Sequence, residues 1–235
     1  VTVVRALAKL TLTLRVTGVR ADGFHLLDAE MVTVDLVDEL AFSDGDGLFV
    51  DVIGGAAPVP TDDSNLVRRA LRLVGATAQV RLTKRIPAGG GLGGGSADAA
   101  AVLRWAGVTD PQAAASLGSD VPFCLVGGRA RVSGVGEVVE PLPFQARTFT
   151  LLTPPFGVPT PAVYRSWDEL GGPTGDGPND LEPAALAVEP RLAQWRDRLA
   201  EATGATPTLA GSGSTWFVEG DHPGPGLIVV HTDLP

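Results

Sequence analysis

The chain has 235 residues, 44% hydrophobic and 19% charged, so it can bury a sizeable core and is no disordered acidic tail. Its formal net charge is −9, and its eighteen basic residues, only two of them lysine, are scattered; nucleic acid is not the expected partner, and an anionic ligand must be recognised locally. A single cysteine, Cys124, excludes an intramolecular disulfide and a cysteine-based metal cluster, three histidines leave little for a zinc site, and no apolar run approaches the ~20 residues of a membrane span. The chain opens on Val1 without a signal-like segment, so a soluble, cytoplasmic protein with a processed or trimmed start is expected.

Residues 2–18 predict a strand. Ala8, Leu10, Leu12, Leu14 and Val16 alternate with Lys9, Thr11, Thr13, Arg15 and Thr17, giving one apolar and one polar face. Asp22-Gly23 is a turn signal. Residues 28–42 predict a second strand, with Val32, Val34 and Leu36 on one face. Residues 45–60 read as a Gly/Pro-rich connection. Asp63-Ser64 is placed to cap a helix over 65–74 that ends at Gly75. Residues 78–86 alternate again, Val80, Leu82 and Ile86 against Gln79, Arg81, Thr83 and Arg85.

The segment 87–101, PAGGGLGGGSADAAA, is the most unusual one, with six glycines among residues 89–95. An Ala-rich helix is expected over 96–106, stopped by Gly107. Residues 117–126 turn into an apolar run, and 129–139 predict a hairpin. A domain boundary is expected at 145–150, dividing the chain into 1–147 and 148–235. Residues 171–178 read as a loop, 184–203 as a helix, and 209–218 and 226–231 as strands, with Gly211-Ser212-Gly213 at a turn. Strands and helices mix without a regular βα period, which points to an α+β fold.

A strand, a glycine run and a helix together make a phosphate-binding arrangement. N–H groups at a helix start lack partners and carry partial positive charge, and glycine lets the backbone approach an anion. Residues 91–96 are therefore a candidate triphosphate cradle, with the Ser96 hydroxyl available to a phosphate oxygen or Mg²⁺; the bland alternative is a tight strand–helix junction. A Walker A loop is excluded, because Lys9 and Lys84 precede Leu10 and Arg85 rather than Ser or Thr. Gly89, Gly91 and Gly94 match G-x-G-x-x-G, but the preceding strand alternates with polar residues and Pro87 intervenes, unlike a dinucleotide fold.

Residues 87–100 resemble the phosphate motif of the GHMP superfamily, the small-molecule kinases that include galactokinase, homoserine kinase and mevalonate kinase. Four further segments resemble the branch whose acceptor is a cytidine-diphosphate-linked methylerythritol: Ala8-Lys9-Leu10, RADGFH at 20–25, LGSDVPFC at 117–124 and NDLE at 179–182, with GSG at 211–213 a weaker match. The resemblance spans about 5–218. It implies a two-domain α+β kinase with the active site in the interdomain cleft, ATP binding on the N-terminal domain, Mg²⁺, and phosphorylation of the acceptor's 2-hydroxyl in the non-mevalonate route to isoprenoid precursors. Pro87, Gly89, Gly90, Gly91, Leu92, Gly93, Gly94, Gly95 and Ser96 would hold ATP, with Asn65 near the adenine and Lys84 near the nucleotide; read locally, Asn65 opens a helix and simply caps it. Ser96 would also reach the metal.

By the same resemblance Asp120 is the general base and Lys9 its cationic partner; read from its neighbours alone, Asp120 is a turn residue and Lys9 a solvated one. Phe24 would stack on cytosine, His25 would hydrogen-bond the base and Tyr164 would flank it. Thr11 stands where the family usually has Asn, on the substrate side. Asp180 lines the cleft or serves structure, the latter preferred. Cys124 is expected to be a buried small hydrophobe. Two other readings remain: a GHMP-type kinase for a homoserine- or mevalonate-like acceptor, and a nucleotide-binding sensor without turnover.

Overall fold

The computed structural model describes residues 1–53, 59–172 and 177–235. β1 (Thr2–Val19) and β2 (His25–Ser43) form a long antiparallel hairpin. Its turn closes where the Gly23 N–H donates to the Arg20 carbonyl (2.9 Å) and the Arg20 N–H to the Phe24 carbonyl (2.8 Å). β3 (Gly47–Val52), α1 (Leu66–Leu73), β4 (Gln79–Lys84), α2 (Gly94–Trp105), α3 (Pro111–Ala115), α4 (Val121–Val126), β5 (Arg129–Gly134) and β6 (Val138–Leu142) follow. The second half holds β7 (Thr148–Leu152), α5 (Thr160–Glu169), α6 (Glu182–Val188), α7 (Leu192–Thr203), β8 (Thr208–Leu209), β9 (Trp216–Glu219) and β10 (Ile228–His231).

The strands make two sheets. The first runs β3-β4-β2-β5-β6 with β1 along the other side of β2; the second runs β10-β7-β9-β8. Among the strands of the described residues only β3 and β4 pair in parallel, so the architecture is the expected α+β rather than doubly wound. β2 is the hub. β1 pairs along its length, while β4 takes residues 39–43 and β5 residues 27–32 of its other side. Among the described residues no helix is long and apolar enough to cross a membrane.

β1 joins the two halves. Ala8, Leu10 and Leu12 belong to a core shared with α2 and α4; Leu14 and Val16 belong to a second core with Trp167, Leu181 and Trp216. Each fully buried Leu or Val contributes ~1.5–3 kcal/mol. Asp180 is wholly buried beside this crossing. It accepts from the Arg15 guanidinium (2.7 Å) and the Val16 N–H (3.0 Å), so its role is structural and it does not line the cleft. α2 is buried on nearly every side, and its alanines allow the close approach.

Several expectations give way. The connection expected at 45–60 contains β3, whose Leu48 is buried; residues 54–58 lie outside the described residues, as do 173–176 of the loop expected at 171–178. α1 is capped by Asn65, as the local reading of that residue allows, and not by Asp63 or Ser64. The helix expected over 184–203 is two helices, because Glu189, preceding Pro190, leaves the helical region (φ −136°, ψ 84°). α2 starts at Gly94, two residues early. α3, α4 and α5 were not foreseen, although Pro159 and Pro161 flank Thr160 at the start of α5, where proline suits a first turn.

Candidate active site

The loop between β4 and α2 is tied down on both sides. The Leu92 carbonyl accepts the Lys9 N–H (3.0 Å), and the Gly90 carbonyl accepts the Thr215 N–H (3.1 Å). Gly91 has φ +78°, and a Cβ there would sit 2.3 Å from the Ala210 carbonyl oxygen. Gly93 has φ +67°, and its Cβ would sit 2.7 Å from Lys9 Cγ. Both positions demand glycine, for conformation and for space. The first α2 hydrogen bond runs from the Ala97 N–H to the Gly93 carbonyl (2.8 Å), and no side chain caps the helix. The N–H groups of Gly94, Gly95 and Ser96 therefore lack helical partners at the positive end of the helix. They border a cavity of about 300 Å³ that also takes in Pro87, Gly89, Gly90, Gly91, Leu92, Gly93, Lys9, Thr11 and Asp120.

The alternation in β1 predicts Lys9 and Thr11 on an open polar face; instead they are 5% and 2% exposed. The glycine loop and Gly211 cover them. Lys9 Nζ donates to Thr11 Oγ1 (3.0 Å) and lies 3.5 Å from Asp120 Oδ2. Asp120 stands at the N-cap of α4, yet its side chain makes no capping bond. It is aimed at Lys9 and the cavity, so the turn explains the position but not the carboxylate. One turn after Asp120, Cys124 is buried, and burial with the nearby Asp120 charge pushes its thiol up to about 12. It is an inert packing residue.

A second cavity, of about 590 Å³, adjoins the first and shares Leu27, Ser119, Thr160 and Tyr164 with it. Phe24, 61% exposed, borders it. His25 borders it too, its ring 4.7 Å from that of Tyr164 and hydrogen-bonded to Asp168 (2.8 Å). Burial and the Asp120 carboxylate push the Tyr164 phenol upward, so it stays neutral. Thr160 Oγ1 and Ser212 Oγ are 2.8 Å apart and tie α5 to the 211–213 turn at the junction.

Two sequence-derived residues stand apart. Lys84 does not face the cleft: it is 4% exposed, bonded to Asp38 and to Asp98 (2.7 Å), directly beneath Gly94. Asn65 uses both ends of its amide on backbone, accepting from the Val67 N–H (2.8 Å) and donating to the Pro60 carbonyl (2.6 Å). Its neighbour Leu66 reaches the glycine-loop cavity instead. Ser119, Thr160, Asp168 and Ser212 were missed. Among the described residues no group of three or more His, Cys, Asp or Glu is placed to hold a metal ion.

A family profile described as the GHMP kinases N terminal domain matches residues 65–128. A 4-diphosphocytidyl-2-C-methyl-D-erythritol kinase of Cereibacter sphaeroides (strain ATCC 17029 / ATH 2.4.9) is 40% identical, over 90% of this chain and 87% of the relative. One from Paracoccus denitrificans (strain Pd 1222) is 40% identical, over 89% and 84%. A crystal structure of 4-(cytidine 5'-diphospho)-2C-methyl-D-erythritol kinase superposes with TM-score 0.79 at 31% identity, covering 99% of this chain and 100% of that one. L. major mevalonate kinase in complex with R-mevalonate shares the fold, at TM-score 0.66 and 12% identity over 100% and 96% of the two chains.

Proposed function

Because the chain belongs to the 4-diphosphocytidyl-2-C-methyl-D-erythritol kinases, a branch of the GHMP kinases, we propose that it transfers the γ-phosphoryl group of ATP to the 2-hydroxyl of 4-diphosphocytidyl-2-C-methyl-D-erythritol, on the route to isoprenoid precursors. The observation that carries this reading is the meeting of the two cavities. One offers helix N–H groups to phosphates; the other offers an exposed aromatic ring and a histidine to a base. Asp120 stands where they join. An acceptor without a base would leave Phe24 and His25 unused.

In this proposal Gly94, Gly95 and Ser96 bind phosphate oxygens through their N–H groups, helped by the α2 dipole. Asp120 orients the acceptor hydroxyl and takes its proton as the new P–O bond forms and the β–γ bridge breaks. Lys9, held by Thr11 and 3.5 Å from Asp120, offsets the charge that develops on the acceptor oxygen. No covalent enzyme intermediate is involved. Ser96, whose hydroxyl borders the phosphate cavity, would help the phosphate oxygens to hold Mg²⁺, and the ion would neutralise their charge. Residues 1–147 then carry the nucleotide and 148–235 close the substrate side through Tyr164.

The test is ADP release with Mg·ATP, with and without the cytidine-diphosphate acceptor. Acceptor-dependent turnover supports the proposal. ADP release independent of acceptor, or none from folded protein, rejects it.

A further inference from the structure

We propose that Asp168 holds His25 in one ring tautomer and thereby makes this site select cytosine over uracil; the inference rests on the cytidine-binding reading of the larger cavity. Asp168 lies on α5, one turn after Tyr164, so both face the same way. Three α5 residues fix the His25 ring. Tyr164 packs on it at 4.7 Å and 34°, Trp167 meets it edge-on at 5.5 Å and 85°, and Asp168 Oδ1 lies 2.8 Å from Nε2.

A carboxylate only accepts hydrogen bonds, so Nε2 is the donor in this pair. In a neutral ring Nδ1 then keeps its lone pair and is an acceptor. Which nitrogen carries the proton is thus set by the partner of the other one. Cytosine presents an exocyclic amine, a donor; uracil presents a carbonyl oxygen at the same place, a second acceptor. Phe24, whose exposed ring borders the same cavity, stacks equally well on either base and cannot discriminate. A site built to pair with an amine rejects the analogue that lacks it far more strongly than a site that merely fits a shape.

The test has two readouts. The first is the ring ¹⁵N spectrum of His25, assigned with His25→Gln. Wild type should show a protonated Nε2 and a bare Nδ1, and Asp168→Ala should shift the ring toward a tautomer mixture. The second is the affinity for CDP and for UDP. Wild type should favour CDP by about 100-fold, well inside the ceiling for such sites. Asp168→Ala should cut that ratio by about 10-fold or more at unchanged affinity for an ATP analogue, with Asp168→Glu restoring part of it. An unchanged ratio in Asp168→Ala, an equal loss of both ligands, or a protonated Nδ1 in wild type overturns the proposal. Because the readout is binding, failure of the kinase reading shows separately, as intact CDP selectivity without acceptor turnover.

Discussion

Lys9 on β1 and Asp120 at the start of α4 face each other across 3.5 Å, with Thr11 holding the ammonium from the other side. Neither side chain serves a cap or a surface. Replacing Asp120 with Asn keeps the shape and removes the carboxylate proposed to accept the proton. The acceptor-dependent kcat should fall by ~10²–10⁴, the usual worth of a general base, while CDP and ATP affinities stay near wild type. Lys9→Arg should not rescue Lys9→Met, because the lysine stem already packs where a Gly93 Cβ would be, leaving no room for a guanidinium. Steady-state kinetics of the three variants decide this, and a Lys9→Arg enzyme with wild-type kcat contradicts it.

Gly91 and Gly93 are the positions of the loop where added atoms have nowhere to go. A positive φ costs an alanine ~1–2 kcal/mol before any clash is counted. Gly91→Ala meets backbone, the Ala210 carbonyl, which cannot step aside; Gly93→Ala meets the stem of Lys9, which can shift but carries its ammonium with it. Gly91→Ala should therefore lower Tm and weaken ATP-analogue binding together. Gly93→Ala should lower kcat more than it lowers Tm. Equal effects of the two variants on all three quantities would show that the loop responds as a uniform hinge.

The glycine run was legible in the sequence because glycine there serves close approach and a positive φ, which no other residue type supplies. The burial of Lys9 was not, since the surfaces that cover it come from residues 91–93 and 211, which no local pattern connects to β1. The ion cluster beneath the loop was legible and was passed over. Lys84 has the parity of Val80, Leu82 and Ile86, and Asp38 that of Val34, Leu40 and Phe42, so the strand period alone puts both on buried faces. Asp168 was hidden for a different reason. α5 buries only Val163 and Trp167, too few apolar positions to announce a helix, so the face that carries Tyr164 and Asp168 together had no visible period.

Asp98 supplies a pH dependence. One carboxylate oxygen takes the Lys84 ammonium (2.7 Å), and the other is buried without a partner. Burial raises its pKa from the usual 3.8 to about 7, against the pull of Lys84 and with the push of Asp38. Between those values the unfolded chain has lost a proton that the native protein keeps, so this group's contribution to stability falls as pH rises from about 4 to about 7. Asp98→Asn removes that contribution. The Tm difference between variant and wild type should move in the variant's favour across this window and level off above it. A difference that is flat, or that moves in the variant's favour as pH falls, contradicts the assignment.

The Thr11 hydroxyl oxygen accepts the Lys9 ammonium at 3.0 Å in a site 2% exposed. A hydrogen bond to a charged group is worth ~1.5–3 kcal/mol, so its loss is felt even though the shape is kept. Thr11→Val should leave Lys9 short of an acceptor and free to swing toward Asp120. The base would then be paired more tightly and less available to the hydroxyl, and kcat should fall by roughly 10–100-fold, the kinetic equivalent of that energy. Thr11→Asn keeps an acceptor and should retain most of the activity. CDP affinity should not change in either variant, since the proposal places the base against Phe24 and His25 in the adjoining cavity. Kinetics with CDP titrations separate the outcomes: a Thr11→Val enzyme with wild-type kcat would mean that Lys9 is positioned by the glycine loop alone.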